Sequence, residues 1–290
     1  PINLARRFIL VGDHRQLPPI VVSDQSLTSS LDTSLLFDDP PDEPENQPQL
    51  DLFGMPIEEN TGSRAPRLSE DLREMGCAGL DRSLFERLIE FSPHLMLDIQ
   101  YRMHEDIMAF SSEEFYGGRL LAHESNRRWG LDGLGELLGH ESAVVFVDVD
   151  VESGGRTNED EARAIIAALE ALGSQLDSTS VGVVTPFRAQ AHLIRHMLKN
   201  SADLASRDID VDTVERFQGS ERDVIMVSLV KTERAGEFLA DPRRLNVTLT
   251  RARKKLMIFG NRSCLELNPL FRRLLEQRQT TFISWTKPQL

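Results

Sequence analysis

The chain has 290 residues, is 40% hydrophobic and carries a formal net charge of −13, enough length for one large or two modest domains with sizeable cores. That acidity argues against holding nucleic acid by bulk attraction, but eight acidic residues crowd between Asp38 and Glu59 with no basic one among them, so a local basic groove stays open. Two distant cysteines, Cys77 and Cys264, exclude a disulfide framework or zinc site, and no apolar run approaches the ~20 residues of a membrane span, so an intracellular protein is expected.

The chain opens on Pro1 in a strand-like segment, as expected for a piece of a longer protein. Phe8 to Gly12, FILVG, reads as a short strand ending at Asp13, His14, Arg15 and Gln16. Ligands of open α/β sheets bind beyond the carboxyl ends of strands, so Gly-Asp-x-x-Gln is either a ligand sensor or a turn. From 23 to 78 the periodicity vanishes and five prolines fall between Pro40 and Pro56, which predicts a disordered acidic insert. Ser83 caps a predicted helix with Leu84, Phe85, Leu88 and Ile89 at helical spacing. LMLDI, 95–99, reads as a strand, with Gln100-Tyr101-Arg102-Met103-His104 at its end. The following helix carries Ile107, Met108, Phe110 and Phe115, and Met103, Phe110 and Phe115 belong to the core.

AVVFVDVD, 143–150, is the next strand. A Gly-Gly turn and Asn158 lead to a helix from Glu159 with Ala162, Ile165, Ile166, Leu169 and Leu172 inward, ended by Gly173. VGVVTPF, 181–187, is a strand, followed by a helix with Leu193, Ile194, Met197 and Leu198 inward. VDTVERFQG, 211–219, reads as a short strand breaking at Gly219, with Glu221 just beyond. DVIMVSLV, 223–230, is apolar without alternation, the pattern of a strand covered on both faces. RRLNVTLTRAR, 243–253, puts four arginines and Asn246 on what reads as one short helix running into a buried strand, while Lys254 and Lys255 read as solvated. Leu267 to Gln277 adds a terminal helix and FISW, 282–285, an edge strand. The recurring order predicts an α/β fold, a parallel sheet with helices on both faces.

GDHRQLPP, LDIQYRMH, VTPFRAQ, VDTVERFQGSERD and RRLNVTLTRAR, in this order, closely resemble the later motifs of superfamily 1 helicases. The branch is that of Upf-one-like RNA helicases and Dna-two-like helicase-nucleases. SLFERLIEF, MHEDIMAFSSEEFYGGRL and Asn158-x-x-Glu161-Ala162 extend the resemblance over nearly all the chain outside the insert. Two departures stand out: Glu105 where the family has proline, and Thr248 where it has alanine. The resemblance implies a RecA-like, P-loop NTPase-type fold. Residues 1–22 would end a first RecA-like domain, 23–78 form the insert and 79–290 the second RecA-like domain.

The resemblance also implies an ATP-dependent helicase of cytoplasm or nucleus, moving 5′ to 3′ on single-stranded RNA or DNA. ATP and Mg²⁺ would be held mainly by a first RecA-like domain in cis. On that resemblance Gln16 senses the γ-phosphate, since a carboxamide both donates to phosphate and accepts from water. Arg102 and Arg251 meet the same phosphate, as permanently charged forks. Glu221, after Gly219, contacts the ribose, and Asp13 faces the magnesium site or braces its loop. Thr185, Thr213 and Arg244 match residues on the nucleic-acid backbone, but the hydroxyls serve equally as turn caps and Arg244 has a structural role open to it. No glycine is followed by lysine, so the chain has no GxxxxGK[ST] loop and by itself is expected not to hydrolyse ATP. The alternative from another class is a non-enzymatic nucleic-acid-binding or scaffold protein that keeps this domain.

Overall fold

The computed structural model describes residues 9–17, 83–89, 93–129, 142–149, 155–230 and 241–286; the predicted insert, 23–78, lies outside them. The chain divides into two units, residues 1–17 with 88–290, and residues 18–87. In the second unit, helix α1, Leu84–Ile89, begins. Glu86 N donates to Ser83 Oγ at 3.2 Å and Ser83 N to Glu86 Oε2 at 2.7 Å. This reciprocal capping box satisfies two otherwise orphaned donors, as the sequence predicts.

The first unit is built on strands β3 (Val144–Val149), β4 (Val181–Thr185), β5 (Ile209–Thr213), β6 (Arg222–Ser228), β7 (Ala252–Gly260) and β8 (Thr280–Trp285). They pair in the order β5-β4-β6-β7-β3-β8, every neighbour parallel. Its helices are α2 (Glu105–Tyr116), α3 (Glu159–Leu172), α4 (Arg188–Asn200), α5 (Val214–Phe217), α6 (Pro242–Leu249), α7 (Arg262–Leu265) and α8 (Pro269–Leu275). Successive strand residues face opposite ways, so the apolar strands feed two cores. Phe146, Ile225, Val227 and Ile258 pack with α2, α6 and α8 on one face. Val145, Val147, Met226 and Phe259 pack with α3 and α4 on the other. Parallel strands and helices on both faces are what the sequence predicts, and Met103, Phe110 and Phe115 are buried in the first core.

Gly182 of β4 shows why that position is glycine. A Cβ there would stand 2.8 Å from Phe217 Cε1 and 2.9 Å from Ile225 Cδ1. Asn158 caps α3 through Glu161 N, and Gly173 ends it at φ 52°, as expected.

Several predicted elements come out differently. Residues 9–12 join no strand, and Ile9 and Val11 are exposed, since an apolar run becomes a strand only beside a neighbour that takes its hydrogen bonds. LMLDI shrinks to a two-residue strand β1, Ile99–Gln100, paired with β2, Leu121–Ala122, and Leu95 and Leu97 stand exposed. The arginine helix ends at Leu249. The hydroxyls of Thr248 and Thr250 donate to Arg244 O at 2.8 Å and Asn246 O at 2.7 Å, capturing the last-turn carbonyls. Arg251 therefore lies in a turn and Arg253 on β7. Lys255 is buried, not solvated: its Nζ donates to Ser142 O at 2.7 Å, and burial pulls its ammonium down to about 8. The predicted terminal helix is present as Pro269–Leu275, capped by Asn268, and a separate short helix, Arg262–Leu265, precedes it.

Candidate functional site

Arg102 sits in the turn after β1, and Gln100 shapes that turn. Its Oε1 accepts from Arg102 N at 2.8 Å and Met103 N at 2.7 Å, while its Nε2 donates to Met103 O at 2.8 Å. Asn126 Nδ2 reaches the same carbonyl at 2.7 Å. With its backbone so fixed, Arg102 donates from Nε to Glu221 Oε2 at 2.6 Å and from Nη1 to Thr250 O at 3.3 Å.

Arg251 arrives at the same place from the other side. It is 2% exposed, with Nε on Val247 O at 3.0 Å, Nη1 on Ser220 O at 3.1 Å and Nη2 on Thr250 Oγ1 at 3.3 Å. Both arginines thus converge on residues 220–221 and on Thr250. Burial, and then the like charge of Arg102, pull the Arg251 guanidinium down to about 10, so it stays protonated near neutrality while feeling its neighbour. Gly219 takes φ 87° with nothing near its missing side chain, which turns the chain from α5 into β6 and presents Ser220 O to Arg251. Glu221 also faces Arg253 at 3.8 Å, and the Arg253 guanidinium lies 4.7 Å over the Trp129 ring.

Asp13 and Gln16 join this group. Asp13 Oδ2 accepts from Tyr116 Oη at 2.6 Å and Gln16 Nε2 at 2.8 Å, and Oδ1 from Arg15 N at 2.9 Å. Burial, then the Asp13 carboxylate, push the Tyr116 phenol above its ordinary range. Asn246, on α6, donates from Nδ2 to Tyr116 Oη at 2.8 Å and Arg15 O at 3.0 Å. The structure therefore brings together Gln16, Asp13, Arg102, Arg251, Gly219 and Glu221.

Thr185, Thr213 and Arg244 are not in that group. Thr185 is buried, its Oγ1 accepting from Phe187 N at 3.4 Å, the turn-capping role its position allows. Thr213 is buried at the start of α5, with no side-chain cap bond. Arg244 is buried and paired with Glu215 at 3.0 Å and Asp241 at 3.4 Å.

Gln100, Tyr116 and Asn246 are site residues that charge reasoning passes over. All three lie inside the quoted motifs, but neutral side chains give no signal until their partners are placed. A second network lies at the ends of β4 and β6. Glu161 is fully buried and accepts from Ser228 Oγ at 2.6 Å and from Val230 N at 2.9 and 3.0 Å. Gln190 Nε2 donates to Ser228 Oγ at 3.0 Å and Asn158 O at 2.9 Å. Val230 has φ 71°, a strained value for a β-branched residue, which the carboxylate holds.

Comparison with known proteins gives this geometry its context. A family profile described as "AAA domain" matches residues 80–263. An uncharacterized ATP-dependent helicase of Methanocaldococcus jannaschii is 30% identical over 293 residues, covering 95% of this chain and 35% of that protein. The DNA replication ATP-dependent helicase/nuclease DNA2 of Mus musculus is 29% identical over 303 residues, 93% of this chain and 24% of its own length. Helicase SEN1 of Saccharomyces cerevisiae is 32% identical over 216 residues, 68% of this chain and 10% of its own length. The chain spans about a third or less of these relatives. With its motifs, its parallel sheet and these matches, the chain belongs to the AAA-domain family, in the Upf-one-like and Dna-two-like branch of superfamily 1 helicases, and carries the second, C-terminal RecA-like domain.

Proposed function

We propose that this chain is the second lobe of an ATP-dependent nucleic-acid helicase or translocase, closing on nucleotide held mainly by a first RecA-like domain in cis. The observation that carries the reading is the meeting of Arg102 and Arg251, from segments far apart in sequence, at Thr250 and residues 220–221. Two guanidiniums meeting there, with Glu221 already bonded to Arg102 at 2.6 Å, give the fork geometry that fits the oxygens of a polyphosphate. The relatives named as ATP-dependent helicases support the same reading.

A bound nucleotide supplies the γ-phosphoryl group whose charge spreads during transfer. On the chain's side, Arg102 and Arg251 would hold that group, Glu221 the ribose, and Gln16 the attacking water. Because three acceptors hold the Arg251 fork in place, little reorganisation is needed on closure. Mg²⁺, like the nucleotide, would be held mainly by the first domain, since this ion is usually bound through one or two carboxylates together with substrate phosphates. On this reading residues 1–22 end that first domain, 23–78 are a solvated insert and 79–290 form the second lobe. The track is single-stranded RNA or DNA, followed 5′ to 3′, with Thr185, Thr213 and Arg244 as candidates near its backbone. No described helix is long and apolar enough to cross a membrane, and cytoplasm or nucleus is the proposed location.

Arg102→Ala and Arg251→Ala in the intact protein are the test. Each is expected to lower nucleic-acid-stimulated ATPase by about 10³-fold or more, with the far-ultraviolet circular dichroism unchanged. Wild-type turnover in both variants would remove the reading. Comparing RNA with DNA as stimulator in the same assay identifies the track.

A further inference from the structure

We propose that Tyr116 and Asn246 are positioning residues for the sensor loop: the Tyr116 hydroxyl holds the Asp13 carboxylate, which fixes the Gln16 amide in register with the two arginines. The inference rests on the reading of Gln16 as the γ-phosphate sensor.

Tyr116 is the last residue of α2, so its ring is carried by a rigid element. Its hydroxyl uses both capacities, donating to Asp13 Oδ2 at 2.6 Å and accepting from Asn246 Nδ2 at 2.8 Å. The same Oδ2 takes Gln16 Nε2 at 2.8 Å, and Oδ1 takes Arg15 N at 2.9 Å. Three donors leave the carboxylate one orientation. The Asn246 amide is likewise fixed, because Nδ2 has two acceptors, Tyr116 Oη and Arg15 O. From Asn246 the connection continues: its carbonyl accepts from Thr250 Oγ1 at 2.7 Å, that hydroxyl from Arg251 Nη2 at 3.3 Å, and the Thr250 carbonyl from Arg102 Nη1 at 3.3 Å.

Hydrogen bonds join Gln16, through Asp13 and Tyr116, to the Asn246 side chain, and the backbone carbonyl of Asn246 with Thr250 then links that residue to both guanidiniums. Within the continuous side-chain run from Gln16 to Asn246 each bond polarises the next. With Nε2 committed to Asp13, Gln16 presents Oε1, the acceptor end that suits a nucleophilic water. Tyr116 and Asn246 touch neither phosphate nor water in this scheme; they act through Asp13 and Gln16.

The test uses the intact ATPase carrying Tyr116→Phe, which keeps the ring and deletes only the hydroxyl. The expected result is a fall in kcat of about tenfold, with KM for ATP held within about twofold and the Tm unchanged. In a Gln16→Ala background the same substitution should subtract nothing further, since its effect passes through that amide. Asp13→Ala, on a loop outside both cores, should reproduce the kcat loss and serves if Tyr116→Phe lowers the Tm. Wild-type kcat in the variants at 116 and 13, or a loss that multiplies with that of Gln16→Ala, overturns the inference. If Gln16→Ala itself turns over at the wild-type rate, the sensor reading falls, which is a separate and recognisable outcome.

Discussion

Among the described residues Glu161 has no charged partner; it is held by neutral donors. Burial keeps its carboxyl at about 7, above its ordinary 4.5, although Ser228 and the Val230 and Leu229 amides donate to it. The folded state thus binds this proton more tightly than the unfolded one, so the contribution to stability is complete below pH ~4.5 and is lost as pH rises towards 7. The slope is at most about 1.4 kcal/mol per pH unit. Urea unfolding at several pH values should show that decline, and Glu161→Gln should flatten it; an unchanged slope in the variant would mean another group titrates. The sequence shows why such residues escape notice. Arg102 is legible because a charge at a strand end asks for a partner, while Arg251 and Glu221 are legible through the motifs that resemble those of the helicases. The neutral residues that aim them, Gln100, Tyr116 and Asn246, become visible only when the chain has folded.

Elements that bury themselves on both faces were the readable ones. The runs that became β3, β4, β6 and β7 carry their own hydrophobic signal, and α3 and α4 carry theirs, α3 with caps at the expected places. FILVG and LMLDI carry a comparable signal, but strand formation depends on a neighbour that local pattern does not supply. The arginine helix was read too long because hydroxyls at 248 and 250 close its last turn from the side-chain side. At this scale Gly182→Ala is informative. The added methyl meets Phe217 and Ile225 inside 3 Å, and overpacking of a sheet-helix layer is expected to destabilise by about 1–3 kcal/mol. Chemical denaturation measures it; a stability within ~0.5 kcal/mol of wild type would mean that α5 yields without strain.

For the whole molecule, the parts of the proposed motor divide unevenly. The chain supplies arginines and a candidate ribose contact but no glycine followed by lysine anywhere in its 290 residues, so the β- and γ-phosphates lack a cradle within it. The isolated chain is expected to release no phosphate from ATP, with or without nucleic acid, in a malachite-green assay. A rate above background would mean that a nucleotide site exists elsewhere in it. The sheet order has a consequence for synthesis. Strand β3 ends at Val149, yet both its neighbours, β7 and β8, begin at Ala252 or later. At ~5–20 residues per second on the ribosome, the nascent β3 waits roughly 5–20 s with both edges bare. For that interval the emerging chain offers a valine-rich ribbon to whatever chaperone stands at the exit tunnel.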